Sequence, residues 1–593
     1  MFLGVVLASS HAQESATPLS VPAPSRTDKL KLEAADSAFH AGYDAYLRND
    51  LHAAHIQFAK AVRLAPSIAP AHSAFGTVLL AEGDAKLAVI ELEKARNLDP
   101  KDSQSLLNLA LAYSQLHQYQ KSILAFQTLS QIASFQTKTL APESFVAYAT
   151  ALVASTEVSE AQHQIELALK SYPDSALLFD TFGTILAEQK RMDEATEQFQ
   201  SAIVSDPNFA IAHYHLGSVY LDQRNPTAAI SELLQANNLA KDNVTYTIQL
   251  GHAYAAAGQD ADAIATMQRA SNMDPGSIDA KYELAFALQA SGKPKESIHL
   301  FEETVTARPD DVTALTNLGL ALTQTGDAKS AIPVYLRGLK INPDNPTLRE
   351  DLGVAYLQQS DLDHAIEEFS AGLVLQPDNP QLHYDLALGL KLKDQLEPAI
   401  NEFLLAEDLD AKLPDPPYTL GVLYMQMGKF TEAQIQLEKA TTLNPQNGAA
   451  WETLGNVYKQ SEQPDKAANA LRQAIRLLPD QPSPHITLAT ILSQQGEVAA
   501  ATGERKIAAN LSRVAISRQR SNFALDSGKL LLKRGQLPEA IAQLEAAVAA
   551  DPTYAEPHLA LAEALAKQGQ QAEAAIERQK AEVLSSPNGR PQP

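Results

Sequence analysis

Residues 451–479 read WETLGNVYKQSEQPDKAANALRQAIRLLP, and this stretch decides the fold of the 593-residue chain. It is typical of two helices, with the small Gly455 two-thirds of the way through the first. Pro479 stops the second helix, because proline lacks an amide donor and blocks continuation. A residue as small as Gly455 lets a neighbouring helix approach closely. The stretch therefore predicts a helix–turn–helix unit.

The small residue at Gly455 recurs as Gly or Ala in sixteen repeats, and we call it the anchor of each repeat. Successive anchors are 34 residues apart, except for two spacings of 39. Position +12, counted from the anchor, is Ala in fourteen repeats, position +24 is Pro in eleven, and position +7 is Gly in eight. A Gly at +7 ends the first helix in a left-handed conformation. The anchors of repeats 1 to 16 are Gly42, Gly76, Ala110, Ala149, Gly183, Gly217, Gly251, Ala285, Gly319, Gly353, Ala387, Gly421, Gly455, Ala489, Gly528 and Ala562.

These positions resemble the tetratricopeptide repeat (TPR) family, above all in the stretch from Trp451 to Pro479. The stretch departs from the family at Leu471, where the family often has Phe. Other repeats have that aromatic residue as Phe58, Phe199, Phe369 and Phe403. The resemblance covers roughly residues 35–588. It implies an all-α fold, an α-solenoid of antiparallel helix pairs in a right-handed superhelix, with a concave groove lined by the first helices.

The composition narrows the classes of partner and chemistry. The net charge of −23 repels phosphate backbones, so nucleic acid is a poor partner for the chain as a whole. The chain has no cysteine, which excludes disulfides, thiolate zinc sites and a cysteine nucleophile. A hydrophobic fraction of 45% is enough for a continuous core.

The two ends of the chain differ from the repeats. Residues 2–8 form a short apolar run, and Ser10-His11-Ala12 resembles the pattern before a signal-peptidase cut, so residues 1–12 are predicted to be a signal peptide. Residues 13–34 are expected to be a flexible linker and residues 589–593 a tail. These features favour export to the periplasm or the medium, with the cytoplasm as the alternative. No apolar run reaches the twenty residues of a transmembrane helix.

Sixteen repeats leave no stretch long enough for a catalytic domain, and no phosphate-binding loop, zinc-protease motif or nucleophile elbow occurs. We therefore expect no enzyme activity, no cofactor and no metal. Five histidines share position −4, at a fixed place in their repeats, and are interpreted as packing residues. They are His72, His213, His383, His485 and His558.

The groove is the candidate binding site. Tyrosines at position −3 and glutamines at position +5 of the first helices offer flat contact area and adaptable hydrogen bonds, which suit an extended peptide. The alternative is that some tyrosines pack against the next repeat. The residues are Tyr214, Tyr282, Tyr384, Tyr418, Gln324, Gln358, Gln426 and Gln460.

A basic segment stands out inside the acidic chain. Residues 505–534 hold eight basic residues against the single Asp526, a net charge of +7. Each spacing of 39 contains five extra residues, near 129–139 and within 504–527, and both insertions are predicted to lengthen second helices. The second lengthened helix would project a basic patch that binds an acidic partner, an anionic lipid surface or another copy of the chain. The alternative is that the basic residues form only a solvated face. The patch is Arg505, Lys506, Arg513, Arg518 and Arg520.

The pattern as a whole favours a non-enzymatic scaffold or adaptor that holds protein or peptide partners along the groove. Two alternatives stay open. One is a targeting or regulatory subunit of a separately encoded enzyme, such as a glycosyltransferase or a protease. The other is an assembly factor that self-associates through its end repeats.

Overall fold

The structure of the chain is a computed structural model that describes residues 26–132 and 140–585. Over these residues it contains 31 α-helices and no strand, arranged in tandem pairs, which confirms the all-α solenoid. The chain forms two compact bodies that meet at Thr325 in the sequence. The N-terminal body holds α1 to α17, and the C-terminal body holds α18 to α31.

The N-terminal body alternates first and second helices of repeats 1 to 8 and ends with the first helix of repeat 9. Its helices are α1 (Arg26–Leu47), α2 (Leu51–Leu64), α3 (Ala69–Ala81), α4 (Ala85–Leu98), α5 (Ser103–Gln115), α6 (Tyr119–Ser130), α7 (Pro142–Ala154), α8 (Val158–Ser171), α9 (Ala176–Glu188), α10 (Met192–Ser205), α11 (Ala210–Asp222), α12 (Pro226–Leu239), α13 (Val244–Ala256), α14 (Asp260–Met273), α15 (Ile278–Ala290), α16 (Pro294–Ala307) and α17 (Val312–Gln324).

The C-terminal body continues with the second helix of repeat 9 and ends with repeat 16. Its helices are α18 (Ala328–Ile341), α19 (Pro346–Gln358), α20 (Leu362–Leu375), α21 (Pro380–Leu392), α22 (Leu396–Leu409), α23 (Asp415–Gln426), α24 (Phe430–Leu443), α25 (Gly448–Gln460), α26 (Pro464–Leu477), α27 (Pro482–Gln494), α28 (Val498–Lys533), α29 (Leu537–Ala550), α30 (Ala555–Lys567) and α31 (Gln571–Ser585).

Packing within each body follows one scheme. The two helices of a repeat pack against each other, and each second helix packs against the first helix of the next repeat, except in repeats 14 and 15, where these two helices are both part of α28. The anchors lie where helices are closest: a Cβ placed on Gly353 would be 2.5 Å from Cε1 of Phe369, and one on Gly455 would be 2.7 Å from Cγ of Leu471. The small anchor is therefore required by the bulky buried residue at +16, as the sequence indicated.

The turn inside each repeat depends on one left-handed residue. Among the described residues, sixteen have a positive φ, and all sixteen lie at position +7. Eight are glycines, such as Gly428 with φ of 73°, and eight are not, such as Glu462 with φ of 57°. The role assigned to Gly at +7 is thus correct, and the turn forms even where an L-residue must adopt this conformation.

The two insertions fold differently from each other. The prediction that the first lengthens a second helix is wrong: α6 ends at Ser130, and the amides of Gln131 and Ile132 bond three residues back, which tightens the chain into a turn. Residues 133–139 lie outside the described part. The second insertion does lengthen a helix, but further than expected, because α28 runs for 36 residues and joins the second helix of repeat 14 to the first helix of repeat 15.

The reason for this fusion lies in the sequence of α28. Arg513 stands at position +24, where eleven repeats have Pro, and no proline occurs between Pro484 and Pro538. The helix therefore lacks the proline that stops the second helix in most repeats. At the other end, α1 begins at Arg26, so residues 26–34 are helical rather than linker. The predicted signal peptide and the tail at 589–593 lie outside the described residues.

Candidate protein-binding surfaces

The four tyrosines predicted to line the groove lie at position −3 of first helices, and all four are half-buried. Burial raises the pKa of Tyr282 and of Tyr384. The ring of Tyr214 stacks on Tyr246 of the next repeat, with 4.7 Å between the ring centroids. Tyr418 packs against the core around Leu454 and Leu471. The tyrosines are thus part of the packing between repeats, and each presents only part of its ring to a ligand.

Polar side chains connect successive first helices through the same two positions. A side chain at −3 of one repeat contacts a side chain at −2 of the next, 35 residues later in the sequence. We call this series the ladder. It consists of Asp180 with His215 at 2.8 Å, Tyr282 with Asn317 at 2.8 Å and Tyr384 with Thr419 at 3.3 Å.

One step of the ladder brings two acids together. Glu350 stands at −3 of repeat 10 and Asp385 at −2 of repeat 11, beside Asp351. Burial raises the pKa of Asp385 to about 7, with a further increase from Glu350, although a hydrogen bond from Gln381 opposes the shift. Burial and the same neighbouring acids raise the pKa of Asp351 to about 7. This step therefore takes up protons near neutral pH.

The glutamines at +5 differ from the tyrosines. Gln324, Gln358, Gln426 and Gln460 are all exposed at the ends of their first helices. Gln324 accepts a long hydrogen bond of 3.4 Å from the amide of Gln289. Exposed amide groups can both donate and accept, so this row remains the more accessible half of the predicted groove site.

The histidines at −4 do more than pack. In His72, Nε2 donates to the carbonyl of Pro66, and Nδ1 lies 2.6 Å from the carboxylate of Glu91. The histidine thus connects the segment that precedes its helix to the second helix of its own repeat. The other four contact a glutamate 19 residues later in the same way, as His213–Glu232, His383–Glu402, His485–Glu504 and His558–Glu577.

The basic segment lies along α28, mostly on its exposed surface. Arg505, Lys506, Arg513 and Arg520 are exposed. Arg518 instead donates from Nε to Asp551 at 2.5 Å and lies 4.0 Å over the ring of Tyr554. Although burial opposes the shift, hydrogen bonds from Thr553 and Arg518 lower the pKa of Asp551. Arg518 is therefore bound within its own repeat, and the exposed basic patch consists of the other four residues.

A cleft of about 430 Å³ opens between the first helices α7 and α9 of the N-terminal body. Its walls are Val146, Val153 and Ile185, and Asp180 and Glu188 lie among its polar lining residues. Thr150 is exposed in the cleft. The cleft can therefore hold an apolar side chain with a polar group beside it.

Models of the repeat match the chain at the places where the structure shows helix pairs. Those described as TPR repeat or tetratricopeptide repeat match residues 183–223, 528–569, 282–346, 418–482, 322–388 and 210–243. The chain is a TPR protein.

Several solved structures resemble the chain, two over less than a third of its length and one over most of it. One is MamA MSR-1 C2, with 26% identity over 28% of this chain and 97% of that chain, and a TM-score of 0.26. Another is YrrB, described as a TPR protein with an unusual peptide-binding site, with 22% identity, coverage of 31% and 95%, and a TM-score of 0.27. A chain of the APC/C hetero-tetramer Cut9-Hcn1 has 15% identity, coverage of 91% and 97%, and a TM-score of 0.32. Among curated proteins, none matches the chain.

Within residues 26–132 and 140–585, no three histidine or acidic side chains converge as ligands of a metal ion. Of the helices in that part of the chain, none is both long and apolar enough to cross a bilayer.

Sequence reasoning missed the cleft between α7 and α9, although a signal was present. The TPR positions −3, +1, +4 and +5 of repeat 4 carry Val146, Thr150, Val153 and Ala154. Most of these are small or apolar, whereas the binding residues predicted from the sequence are tyrosines and glutamines. Small side chains at these positions leave space between neighbouring first helices, and this space can form a binding site.

Proposed function

We propose that this TPR protein is a non-enzymatic scaffold that holds a polypeptide partner along the face formed by its first helices. Tandem TPR repeats support a protein-interaction scaffold, and the cleft between α7 and α9 is the observation that supports a peptide ligand. The partner would insert an apolar side chain between Val146, Val153 and Ile185. Its backbone would bond to an exposed side-chain amide of the same body, such as that of Gln115 at +5 of repeat 3.

The proposal extends to the location of the protein. The apolar run at residues 2–8 and the small residues after it favour an exported protein, so the partner is proposed to be periplasmic or secreted. A fusion of residues 1–34 to a reporter enzyme that is active only after export would test this. Activity that requires residues 1–12 supports export, and activity confined to the cytoplasm contradicts it.

The test of the scaffold is to fill the cleft without disturbing the stack. Thr150 is exposed in the cleft, so Thr150→Trp adds bulk where there is space. Leu124→Trp is the matched control, because Leu124 is 63% exposed on a second helix. We expect the wild-type chain to enrich peptides with a common apolar residue from a random display library. Thr150→Trp should lose this enrichment and Leu124→Trp should keep it.

The outcome that contradicts the site is equally clear. If Thr150→Trp selects the same peptides as the wild type, the ligand does not occupy the cleft. If the wild type selects no peptide above background, the proposal of a peptide scaffold fails. Circular dichroism should show the same helix content for all three chains, since neither substitution touches a buried residue.

A second set of variants tests the predicted tyrosines. Changing Tyr282, Tyr384 and Tyr418 together to Ala should weaken binding of the selected peptides and leave the helix content nearly intact. The structure adds that stability also falls, because the hydroxyls of Tyr282 and Tyr384 belong to the ladder, at about 1 kcal/mol for each hydrogen bond. Changing both to Phe removes only the hydroxyls and separates the two effects.

A further inference from the structure

Repeat 15 has an uncovered face that every earlier repeat except the first keeps covered. Position +2 of the first helix is buried in fourteen of the sixteen repeats described by the structure. It is exposed only at Asp44 of repeat 1 and at Leu530 of repeat 15, where half of the leucine is exposed. Position −5, on the same side of the helix, is exposed only at Ser37 of repeat 1 and at Phe523, which is 80% exposed.

In the regular stack, the preceding repeat covers both positions. A Cβ placed on Gly389, at +2 of repeat 11, would lie 3.2 Å from Cγ1 of Ile366, at +13 of repeat 10. A Cβ placed on Gly372, at +19 of repeat 10, would lie 3.2 Å from Cδ1 of Leu382, at −5 of repeat 11. The second helix of one repeat thus covers these two positions of the next repeat. We call the residue that covers a position its seat.

The second helix of repeat 14 cannot cover the first helix of repeat 15, because these two helices are parts of the same helix α28. The seat for Leu530 is Thr502, at +13 of repeat 14, and these residues are about 42 Å apart along a continuous helix. The seat for Phe523 is Ala508, at +19 of repeat 14, which is buried, but Thr502 and Ala509 beside it are exposed, so this side of the second helix is uncovered. The chain therefore carries two complementary faces that it cannot bring together by itself.

The uncovered residues form a single stripe along α28. Thr502, Ala509, Ile516, Phe523 and Leu530 follow one another at intervals of seven, and all five are exposed. An interval of seven keeps side chains on one side of a helix and is the repeat by which two helices pair. Apolar side chains occupy the stripe from Ala509 onward, where a solvated helix would have polar ones.

We propose that a second copy of this chain binds along α28 in the antiparallel direction, so that repeat 15 of each chain stacks on repeat 14 of the other. The contacts of the regular stack fix the register. They place Leu530 on Thr502 of the other chain, which brings Phe523 opposite Ala509, beside its seat Ala508, and places Ile516 against itself at the two-fold axis. Each chain supplies the repeat that covers the other, so the interface is isologous and closed.

The charges on either side of the stripe agree with this register. Lys506 of each chain comes opposite Asp526 of the other, and Asp526 is the one acid in the basic segment. Arg513 comes opposite Gln519, and Arg520 comes opposite Ser512, so no arginine faces another arginine. In this register Lys506 gains an acidic partner, and the exposed arginines avoid one another.

Single cysteines test the register in the full-length chain, which has no cysteine of its own. Ile516→Cys should form a disulfide-linked dimer in mild oxidant, because the two thiols meet at the axis. Val514→Cys is the matched control: Val514 is 46% exposed and Ile516 51%, but two residues along a helix place it on the opposite side. If Ile516→Cys crosslinks no faster than Val514→Cys, the proposal is wrong.

Charge exchange tests the same register independently. The wild-type chain should sediment at twice the 63.9 kDa of one chain. Lys506→Glu or Asp526→Lys alone should weaken the dimer at least tenfold, and the two together should restore it because the pairs are re-formed with opposite sign. A wild-type chain that sediments as a monomer at every concentration overturns the proposal. A double variant as weak as the single ones overturns this register.

Discussion

Repeat 1 and repeat 15 both present a first helix on which, among the described residues, no second helix of a preceding repeat packs, yet their exposed faces differ. Repeat 1 has Ser37 and Asp44 at positions −5 and +2, and repeat 15 has Phe523 and Leu530 there. Terminal repeats of solenoids need polar outer faces to stay in solution. The polar face of repeat 1 suits exposure to solvent, whereas the apolar face of repeat 15 is that of a repeat still to be covered.

The largest effect is expected from making the two faces alike. Phe523→Ser with Leu530→Asp gives repeat 15 the residues of repeat 1. The dimer should be lost, because four apolar side chains leave the interface at about 1.5–3 kcal/mol each. Sedimentation should show a monomer, and the melting temperature of that monomer should not fall. Unchanged dimer mass would mean that this face takes no part in association.

The reverse exchange sharpens the comparison. Ser37→Phe with Asp44→Leu gives repeat 1 the apolar face, and we expect new concentration-dependent association through α1. The control is Ser37→Thr with Asp44→Asn, which keeps the face polar. If both variants remain as soluble as the wild type, the polarity of these two positions does not distinguish an end from an interface.

A second prediction concerns the acidic step of the regular stack. The folded-state pKa values of Asp351 and Asp385 are about 7, above the ordinary value of 3.8, so the folded chain binds more protons than the unfolded chain between these limits. Stability of the C-terminal body should therefore fall as the pH rises from 4 to 7, by on the order of a few kcal/mol. Asp385→Asn should reduce this slope in urea melts. An unchanged slope would show that Asp385 is already ionised at pH 5.

A third prediction tests how far damage spreads through the stack. Gly455→Leu should overpack repeat 13 against Leu471 and cost about 1–3 kcal/mol or more. In the monomeric Phe523→Ser, Leu530→Asp background, hydrogen exchange should increase in α23 to α27 and not in α29 to α31, because repeat contacts are interrupted at α28. Equal exchange in both groups would mean that α28 transmits the damage. Gly353→Leu should behave in the same way around α19 and α20.

The smallest effect is expected at the turns of position +7. Glu462 holds a left-handed conformation that costs an L-residue about 1 kcal/mol, so Glu462→Gly should stabilise the chain by about 0.5 kcal/mol after the entropy of glycine is included. Gly428→Ala should do the opposite, since the two positions are equivalent. Urea melts of the two variants should move in opposite directions, and movement in the same direction would contradict the equivalence.

Much of the fold could be predicted from the sequence because its causes are local. The anchors, the left-handed residue at +7 and the proline at +24 each act within one repeat, and they correctly indicated helix pairs along the described chain. The fate of the insertions could not be predicted. Both have five extra residues, but at the first insertion the helix α6 ends at Ser130 in a tight turn, whereas at the second the helix continues as α28.

The candidate sites were predicted less completely. The sequence located the tyrosines at −3 and the glutamines at +5, but it could not show that the tyrosines are half-buried by the next repeat. It placed Arg518 in a free basic patch, although Arg518 is bound to Asp551, 33 residues later. It interpreted His72 as a packing residue, and the structure adds its bonds to Pro66 and Glu91. Contacts between repeats depend on stacking, which no single repeat encodes.

The sequence by itself determined that this protein is a stack of TPR helix pairs, because each repeat specifies its own turn, close approach and end. The tertiary structure alone decided which faces of the stack are covered. Leu530 and Leu423 are both leucines at position +2 of their repeats. Leu423 is buried, and only the continuity of α28 leaves Leu530 exposed. Burial at these positions depends on contact with the second helix of the preceding repeat. A continuous helix such as α28 cannot fold back onto itself to make that contact.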